Sequence, residues 1–122
     1  MKRLLTTLCL VLLSSCSQEP EVFTGPFITR DDITYHQNTN EPVTGIVEEF
    51  HSNGQLQYRR NYKDGKEDGL WEWFYDNGQL WFTGNFIDGK PVGLWEYFDE
   101  DGNLTSTQTY RNGELVEENR NP

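Results

Sequence analysis

The stretch that decides the fold runs from Gly69 to Gly102 and reads GLWEWFYDNGQLWFTGNFIDGKPVGLWEYFDEDG. It opens with GLWEWF and, 24 positions later, repeats that motif as GLWEYF. A fainter copy, GIVEEF, begins at Gly45, another 24 positions earlier. A fixed period of this size is typical of a repeat architecture, in which each copy forms one small structural unit.

Two sets of Gly-containing dipeptides divide each repeat into two short segments. The first set is Asn53-Gly54, Asn77-Gly78 and Asp101-Gly102, and the second is Asp64-Gly65, Asp88-Gly89 and Asn112-Gly113. Both sets predict two-residue hairpin loops, because Asn-Gly and Asp-Gly tolerate positive φ at both central positions. No apolar stripe of helical period survives this spacing. The sequence therefore predicts an all-β fold, an elongated single-sheet antiparallel β-meander built from 24-residue hairpin repeats.

These loops imply a register and two faces. Around Asn77-Gly78 they place Tyr75 opposite Leu80, Trp73 opposite Phe82 and Trp71 opposite Gly84; around Asp88-Gly89 they place Phe82 opposite Trp95 and Gly84 opposite Gly93. One face is then rich in aromatic residues. It holds Val47, Trp71, Trp73, Tyr75, Trp95, Tyr97, Leu56, Tyr58, Leu80, Phe82, Leu104 and Tyr110. The other face is mixed and includes Glu48, Glu72, Glu96, Ile46, Leu70, Leu94, Phe50, Phe74, Phe98 and Trp81. Three-residue loops around Asn77-Gly78 would change which residues share a face.

The N-terminus has the anatomy of an export signal. Met1-Lys2-Arg3 is a basic start, and the apolar run from Leu4 to Leu13 is too short to span a bilayer. Leu13-Ser14-Ser15-Cys16 resembles the lipobox of bacterial lipoproteins, in which the Cys becomes the lipidated first residue. We expect residues 1–15 to be a signal peptide and Cys16 to carry lipid such as palmitate, which would anchor an exported domain to a bacterial membrane. An ordinary signal peptide with an incidental Cys is the alternative.

Boundaries follow from changes in composition along the rest of the chain. Residues 16–32 contain Pro, Gly and charges without an apolar period, which is typical of a tether. Phe23, Phe27 and Ile28 leave open that its later part packs on the domain. Residues 33–117 are the predicted repeat domain, and residues 118–122 are a C-terminal tail. Ser17, directly after the Cys, favours the outer membrane if the cell is Gram-negative, by analogy with lipoprotein sorting.

Charge and cysteine content exclude several classes of function. The chain has a formal net charge of −10. Removal of residues 1–15 takes away Lys2 and Arg3 and no acid, which leaves −12. Such a surface repels nucleic acid and anionic lipid headgroups, so attachment to a membrane would depend on the lipid. With Cys9 in the signal and Cys16 lipidated, no disulfide, thiolate nucleophile or cysteine zinc site is expected in the domain.

The repeat GLWEWFYDNGQLWFTGNFIDGKPVGLWEYF resembles the variant MORN repeat of bacterial proteins. Its pattern is carried by Gly69, Trp71, Phe74, Asn77-Gly78, Leu80, Phe86, Asp88-Gly89-Lys90 and Gly93. The resemblance covers about Thr44 to Val116, with Val47 where Trp is usual and Glu117 where the next Gly would stand. Many small exported proteins of this kind are grouped with the YwqK-family antitoxins of proposed toxin–antitoxin systems. That grouping implies binding and neutralising a protein partner.

Candidate catalytic and metal-binding groups are few. His36 and His51 have no second ligand at metal spacing, and His51 occupies a turn-flanking slot. The acidic run from Asp99 to Asn103 hints at a calcium loop, but Gly102 falls at position four of such a loop and Tyr110 stands where the Glu should be. Regular spacing of the three face glutamates predicts cross-strand pairing rather than an acid–base pair. No catalytic residue, cofactor site or metal site is therefore predicted.

The remaining hypotheses are forms of binding. The favoured one is a non-enzymatic interaction module whose aromatic face binds an unidentified protein, through Trp71, Trp73, Phe82, Trp95 and Tyr97. These residues could equally pack only against each other along the sheet, because interface anchors and intrasheet aromatic pairs share a composition. The alternative function is a structural envelope protein that self-associates through its sheet edges.

Overall fold

The computed structural model describes residues 18–121, and the predicted signal peptide and Cys16 lie outside them. These residues form ten strands and no helix, which confirms the all-β meander of 24-residue hairpins. The strands are β1 (Val22–Phe23), β2 (Phe27–Arg30), β3 (Ile33–His36), β4 (Gly45–Phe50), β5 (Leu56–Lys63), β6 (Lys66–Phe74), β7 (Leu80–Ile87), β8 (Lys90–Phe98), β9 (Leu104–Arg111) and β10 (Glu114–Arg120).

The sheet order follows the chain order almost throughout. Strands β4 to β10 pair with their sequence neighbours in one antiparallel array, and β1 adds to its first edge parallel to β4. A separate hairpin, β2–β3, completes the fold. Residues 22–30, which the sequence assigns to a tether, thus form two short strands, because Phe23 and Phe27 find an apolar cluster to pack against. Likewise β10 continues through residues 118–120 of the predicted tail.

The Asp-Gly and Asn112-Gly113 loops have the geometry that the sequence predicts. Asp64, Asp88 and Asn112 have φ near +50°, and the Gly after each has φ near +80°. Ile87 pairs with Lys90 directly across one such loop, so it contains two residues. Positive φ at both positions gives the turn a twist that matches the right-handed twist of the strands.

The Asn-Gly loops correct the predicted register. Only the Gly of each pair has positive φ, and the Tyr75 amide donates to the Gln79 carbonyl at 2.9 Å across a three-residue loop. This loop shifts the register by one residue, so Phe74 rather than Tyr75 pairs with Leu80. A bulge at Trp81 then shifts it back, which restores the predicted pairing of Trp73 with Phe82.

The same bulge recurs in each repeat and changes the assignment of faces. Phe50 pairs with Leu56 and Phe98 with Leu104, in the positions equivalent to Phe74 and Leu80. Leu56, Leu80 and Leu104 therefore lie on the mixed face rather than on the aromatic one. Trp81, which the predicted register places on the mixed face, lies on the aromatic face instead.

A second irregularity lies between β7 and β8. Asn85 pairs with Val92 but Thr83 pairs with Glu96, so Gly84 alone lies opposite three residues of β8. Phe82 consequently pairs with Tyr97, and the predicted pairings of Phe82 with Trp95 and of Gly84 with Gly93 are wrong. The reason is steric, because the Trp95 ring lies directly on the Gly84 backbone. A Cβ at that position would be 2.1 Å from Trp95 Cδ2. The shift is by two residues, so Trp95 and Tyr97 stay on the predicted face.

The core lies at the N-terminal end of the aromatic face. Val43, Val47, Tyr58 and Tyr62 form a buried cluster, against which Phe23 and Phe27 pack. Backbone hydrogen bonds hold the β2–β3 hairpin there: the Thr34 amide donates to the Gly65 carbonyl at 2.8 Å, and the Val43 amide donates to the Thr34 carbonyl at 3.0 Å. Residues 20–43, the N-terminal segment, thus cover the first repeat.

The three-residue loops bond to one another along one side of the sheet. Asn53 Nδ2 donates to the Asp76 carbonyl at 2.7 Å, and Asn77 Nδ2 donates to the Glu100 carbonyl at 2.9 Å. His51 Nε2 donates to the Phe74 carbonyl at 2.9 Å, and the Tyr75 hydroxyl donates to the Phe98 carbonyl at 2.9 Å. The second and third loops are therefore each fixed by side chains from the loop region before them.

Candidate functional site

The aromatic face carries two rows of rings that run across the strands. In the first row, Tyr62, Trp71, Phe86, Trp95 and Tyr110 follow one another at centroid distances of 6.0, 4.5, 5.1 and 6.0 Å. In the second row, Tyr58, Trp73, Phe82 and Tyr97 follow at 4.9, 5.6 and 5.7 Å. Such distances are those of stacked and edge-to-face aromatic pairs. The rows arise because the 24-residue period places equivalent side chains on every second strand.

All five residues predicted for binding lie in these rows. Trp95 is only 6% exposed, so it is a core residue rather than a contact surface. Trp71, Trp73, Phe82 and Tyr97 are half-buried and use part of each ring to pack on a neighbour. The structure therefore brings the five together on one face, where they form a packed layer of partly or fully buried rings.

The most exposed ring of this face is one that the predicted register places on the other side. Trp81 is 42% exposed, and it stacks on Tyr75 at 5.5 Å and meets Trp73 edge-on at 6.5 Å. Its position follows from the bulge in β7, which turns it toward the second row. A three-residue loop with Gly after a type I turn has this sequence signature too, but Asn-Gly alone does not separate it from a two-residue loop.

Within the described part of the chain, the cation that lies over the rings of these two rows is Arg60. Its guanidinium carbon lies 3.6 Å from the Tyr58 centroid, 4.9 Å from Trp71 and 5.2 Å from Trp73. Its Nε is buried and has no hydrogen-bond partner within residues 18–121. The attraction between a guanidinium and the negative faces of aromatic rings holds it there. Its alternation with Tyr58 and Tyr62 along β5 is the sequence signal that places it on this face.

The Gln108 side chain joins the two rows at their C-terminal end through hydrogen bonds. The hydroxyls of Tyr97 and Tyr110 both donate to Gln108 Oε1, at 2.9 and 3.0 Å. Burial raises the pKa of Tyr97, and the nearby Tyr110 and Glu118 add to the effect. Tyr97 therefore remains a neutral hydrogen-bond donor at neutral pH. Burial also raises the pKa of Tyr58 and Tyr62 at the covered end.

The two histidines and the acidic loop, which were weighed as catalytic or metal-binding groups, make contacts that stabilise the fold. His36 lies between the rings of Phe23 and Phe27, at 4.6 and 5.6 Å, and His51 is bonded to the next loop. The Asp99 carboxylate accepts hydrogen bonds from the Asn103 and Asp101 amides, which lower its pKa. Among residues 18–121 no group of His, Cys, Asp and Glu is arranged to hold a metal ion. The same residues contain no helix that could cross a bilayer.

The mixed face is a surface of a different kind. Glu48, Arg59, Glu72, Thr83, Glu96 and Thr107 pair in that order across β4 to β9 and form one polar row. Ile46, Leu70 and Leu94 lie along one side of this row. Phe50, Phe74 and Phe98 lie along its other side.

Comparison with known families agrees with the period and the turns. The model of the MORN repeat variant matches residues 43–64, 67–88 and 91–112. Each match spans one long hairpin with its three-residue loop, and together they cover more than half of the chain. No curated protein matches the chain. The chain belongs to the MORN repeat variant family.

Proposed function

We propose that this protein is a non-enzymatic interaction module that binds a protein partner through the open part of its aromatic face. MORN repeats are generally modules for interaction with proteins or membranes. The observation that carries the proposal is the exposed ring of Trp81, which lies beside the second row, against Trp73 and Tyr75, in the second repeat. Exposed aromatic rings on a rigid floor are typical anchors of protein interfaces.

The partner's contact would centre on Trp81, Trp73 and Tyr97. These rings belong to the second and third repeats, whereas the N-terminal segment covers the first. Binding would bury the exposed part of each ring without reorganising the sheet, because the rings are already held by their neighbours. An antitoxin-like role, suggested by the YwqK-family grouping, would make that partner a protein toxin.

The decisive test compares Trp81→Ala with Ile87→Ala in the full chain. Ile87 is 61% exposed at the other end of β7 and lies in neither row, so it is a matched control for loss of exposed apolar surface. Pull-downs from the native cell envelope should retain a protein with the wild type and with Ile87→Ala, and lose it with Trp81→Ala. Melting temperatures of the three proteins should agree within a few degrees. The proposal would be refuted if Trp81→Ala retained every protein that the wild type retains.

Trp73→Ala is a second measurement on the same surface. Because Trp73 packs on Tyr58 and Phe82, its removal should lower the melting temperature as well as weaken binding. A large fall in melting temperature with unchanged binding would leave Trp73 as a core residue only.

We also propose that lipid on Cys16 anchors the domain to a bacterial membrane, the outer membrane in a Gram-negative cell. The support is the sequence alone: a basic start, a short apolar run and the motif that ends in Cys16. Labelled palmitate should be incorporated by the wild type and not by Cys16→Ala. Label retained in the variant would contradict lipidation at this residue.

The alternative role, a structural protein that self-associates through its edges, makes a separate prediction. The outer strand β10 carries Glu114, Glu117 and Glu118, and charged side chains on an edge oppose pairing with another copy. Size-exclusion chromatography with light scattering should give a monomer mass at all concentrations. A mass that rises with concentration would favour the structural role.

A further inference from the structure

The mixed face, on the side of the sheet away from the N-terminal segment, has features of a second docking surface. Leu70 and Leu94 are 42% and 54% exposed there, beside the polar row. Within residues 18–121 nothing packs over them, because the β2–β3 hairpin lies on the aromatic face. A line of exposed apolar side chains beside a row of carboxylates can contact both the apolar and the cationic side chains of a partner.

The first repeat shows which group the carboxylates accept. Arg59 Nε and Nη2 donate to Glu48 Oε1 at 2.8 and 2.6 Å, as a guanidinium does to a carboxylate. In the second and third repeats the position of Arg59 is occupied by Thr83 and Thr107. Among the described residues neither Glu72 nor Glu96 has an ion pair. The row thus contains three carboxylates and one cation, and Glu96 has a threonine on each side.

The charge of the row selects among possible occupants. A second copy docked face to face would bring one row of glutamates against another. Nucleic acid and anionic lipid headgroups are repelled by the same carboxylates, in a chain of net charge −10. A protein segment with cationic side chains is the occupant that fits.

The spacing of the carboxylates favours a helix over an extended segment. Glu72 and Glu96 are two strands apart, which is about 10 Å. In a helix, residues seven apart lie on one side and are separated by about 10.5 Å. In an extended strand, a separation of about 10 Å corresponds to three residues, and their side chains then point to opposite sides.

The flanking rows fit the width of such a helix. Leu70, Glu72 and Phe74 alternate along β6, so the apolar rows lie about 7 Å to either side of the carboxylates. A helix with its side chains is about 10 Å across, so its basic stripe can face the carboxylates while apolar residues reach both rows. The polar row crosses strands β4 to β9, about 24 Å, the length of a helix of about 16 residues.

We propose that the mixed face binds an amphipathic basic helix of a partner protein, which lies across the strands with Lys or Arg at seven-residue intervals facing Glu72 and Glu96. The partner's cations take at these two residues the place that Arg59 takes at Glu48. This surface is independent of the aromatic face, so the two can act at the same time on different segments.

The test uses the full chain and a synthetic helical peptide of about 18 residues. The probe carries Arg at every seventh position, flanked by Leu. A first control peptide has Glu in place of each Arg, and a second has the same composition with the Arg residues spaced by five. Fluorescence anisotropy should show binding of the probe that weakens with added salt, and at least tenfold weaker binding of both controls.

Variants of the chain locate the binding. Glu72→Gln/Glu96→Gln should weaken binding of the probe about tenfold, since it removes two ion pairs at a partly dehydrated surface. Glu41→Gln/Glu100→Gln makes the same charge change at exposed positions away from the mixed face, and it should change binding less than twofold. Leu94→Ser should weaken binding as well, whereas Trp81→Ala should leave it unchanged.

Several outcomes would overturn the proposal. They are equal binding of the Arg and Glu peptides, equal effects of the two double variants, and loss of binding in Trp81→Ala. Binding of the full chain to vesicles of anionic phospholipid that depended on Glu72 and Glu96 would assign the face to a membrane instead. A dimer that Leu94→Ser dissociates would assign it to a second copy.

Discussion

The first and second repeats hold their aromatic residues in place by different means. In the first repeat the N-terminal segment covers Val47, Tyr58 and Tyr62, and Arg60 lies over the neighbouring rings. In the second, the position of Arg60 is taken by Gly84, and Trp95 is buried against its bare backbone. Burial of a ring in a single sheet thus comes either from an added layer or from the removal of a side chain beneath it.

The N-terminal segment over the first repeat accounts for the departure of that repeat from the others at Val47. The equivalent positions hold Trp71 and Trp95. Phe23 and Phe27 pack against the cluster that contains Val47, and its smaller side chain leaves room for them. Over the open half of the face none of residues 18–121 forms such a layer, and the equivalent positions there hold Trp71 and Trp95.

Truncation of a covered ring should have the largest effect. Tyr62→Ala should lower the free energy of unfolding by about 3–4 kcal/mol, because it leaves a cavity under the N-terminal segment. Phe82→Ala, in the open half, should lower it by about half as much, since water can reach the vacated space. Urea unfolding of the full chain measures both. Equal losses would mean that the open half is as well packed as the covered one.

Gly84→Ala should have the next largest effect. The added Cβ would meet the Trp95 ring, so we expect a loss of about 2–3 kcal/mol and a change in Trp95 fluorescence. Gly93→Ala is the control, because its Cβ would meet open space and only the φ of +69° would be strained, at a cost of about 1 kcal/mol. If the two variants unfolded alike, Gly84 would not be the device that buries Trp95.

Replacement of the half-buried Arg60 should have a moderate effect. Arg60→Met keeps the apolar contacts but removes the guanidinium from the Tyr58 and Trp71 rings, which should cost about 1 kcal/mol. Arg59→Met removes a more exposed guanidinium from the mixed face and should cost less than about 1 kcal/mol. A more stable Arg60→Met protein would show that the unpaired buried Nε outweighs the attraction to the rings.

The smallest effect should come from the last three-residue loop. Amides of Asn103 and Asp101 bond to the Asp99 carboxylate and lower its pKa. A carboxyl whose pKa is lower in the folded state stabilises it above the usual Asp range, and this contribution is lost as pH falls through the lowered value. The melting temperature of Asp99→Asn should therefore lie slightly below that of the wild type at pH 7, and the two should converge in acid. Asp76→Asn, in the preceding loop, removes the same charge without these hydrogen bonds and serves as the control.

Much of this architecture can be predicted from the sequence because period and turn residues act locally. The repeats, the Asp-Gly loops and the pairing of Trp73 with Phe82 follow from them. The positions of Trp81 and Leu80 do not, because a longer loop and a bulge change the register by opposite amounts and leave no trace in the hydrophobic pattern. The packing of Phe23 and Phe27 cannot be predicted from the sequence either. Their contacts are with residues distant in the chain, which come together only when the sheet forms.

The hydrogen bonds between loops all run from one repeat to the next, and the last repeat lacks the side chains that donate them. The side-chain amides of Asn53 and Asn77 each donate to the following loop, but the equivalent residue in the last repeat is Asp101, whose side chain is a carboxylate and has no N–H to donate. Asp99 likewise turns to its own loop, where His51 and Tyr75 reach forward. A gene duplication that copied the middle repeat would lengthen the array with every donor matched to an acceptor. If the last repeat were copied instead, the loop before the added one would have no side-chain donor for a hydrogen bond to it.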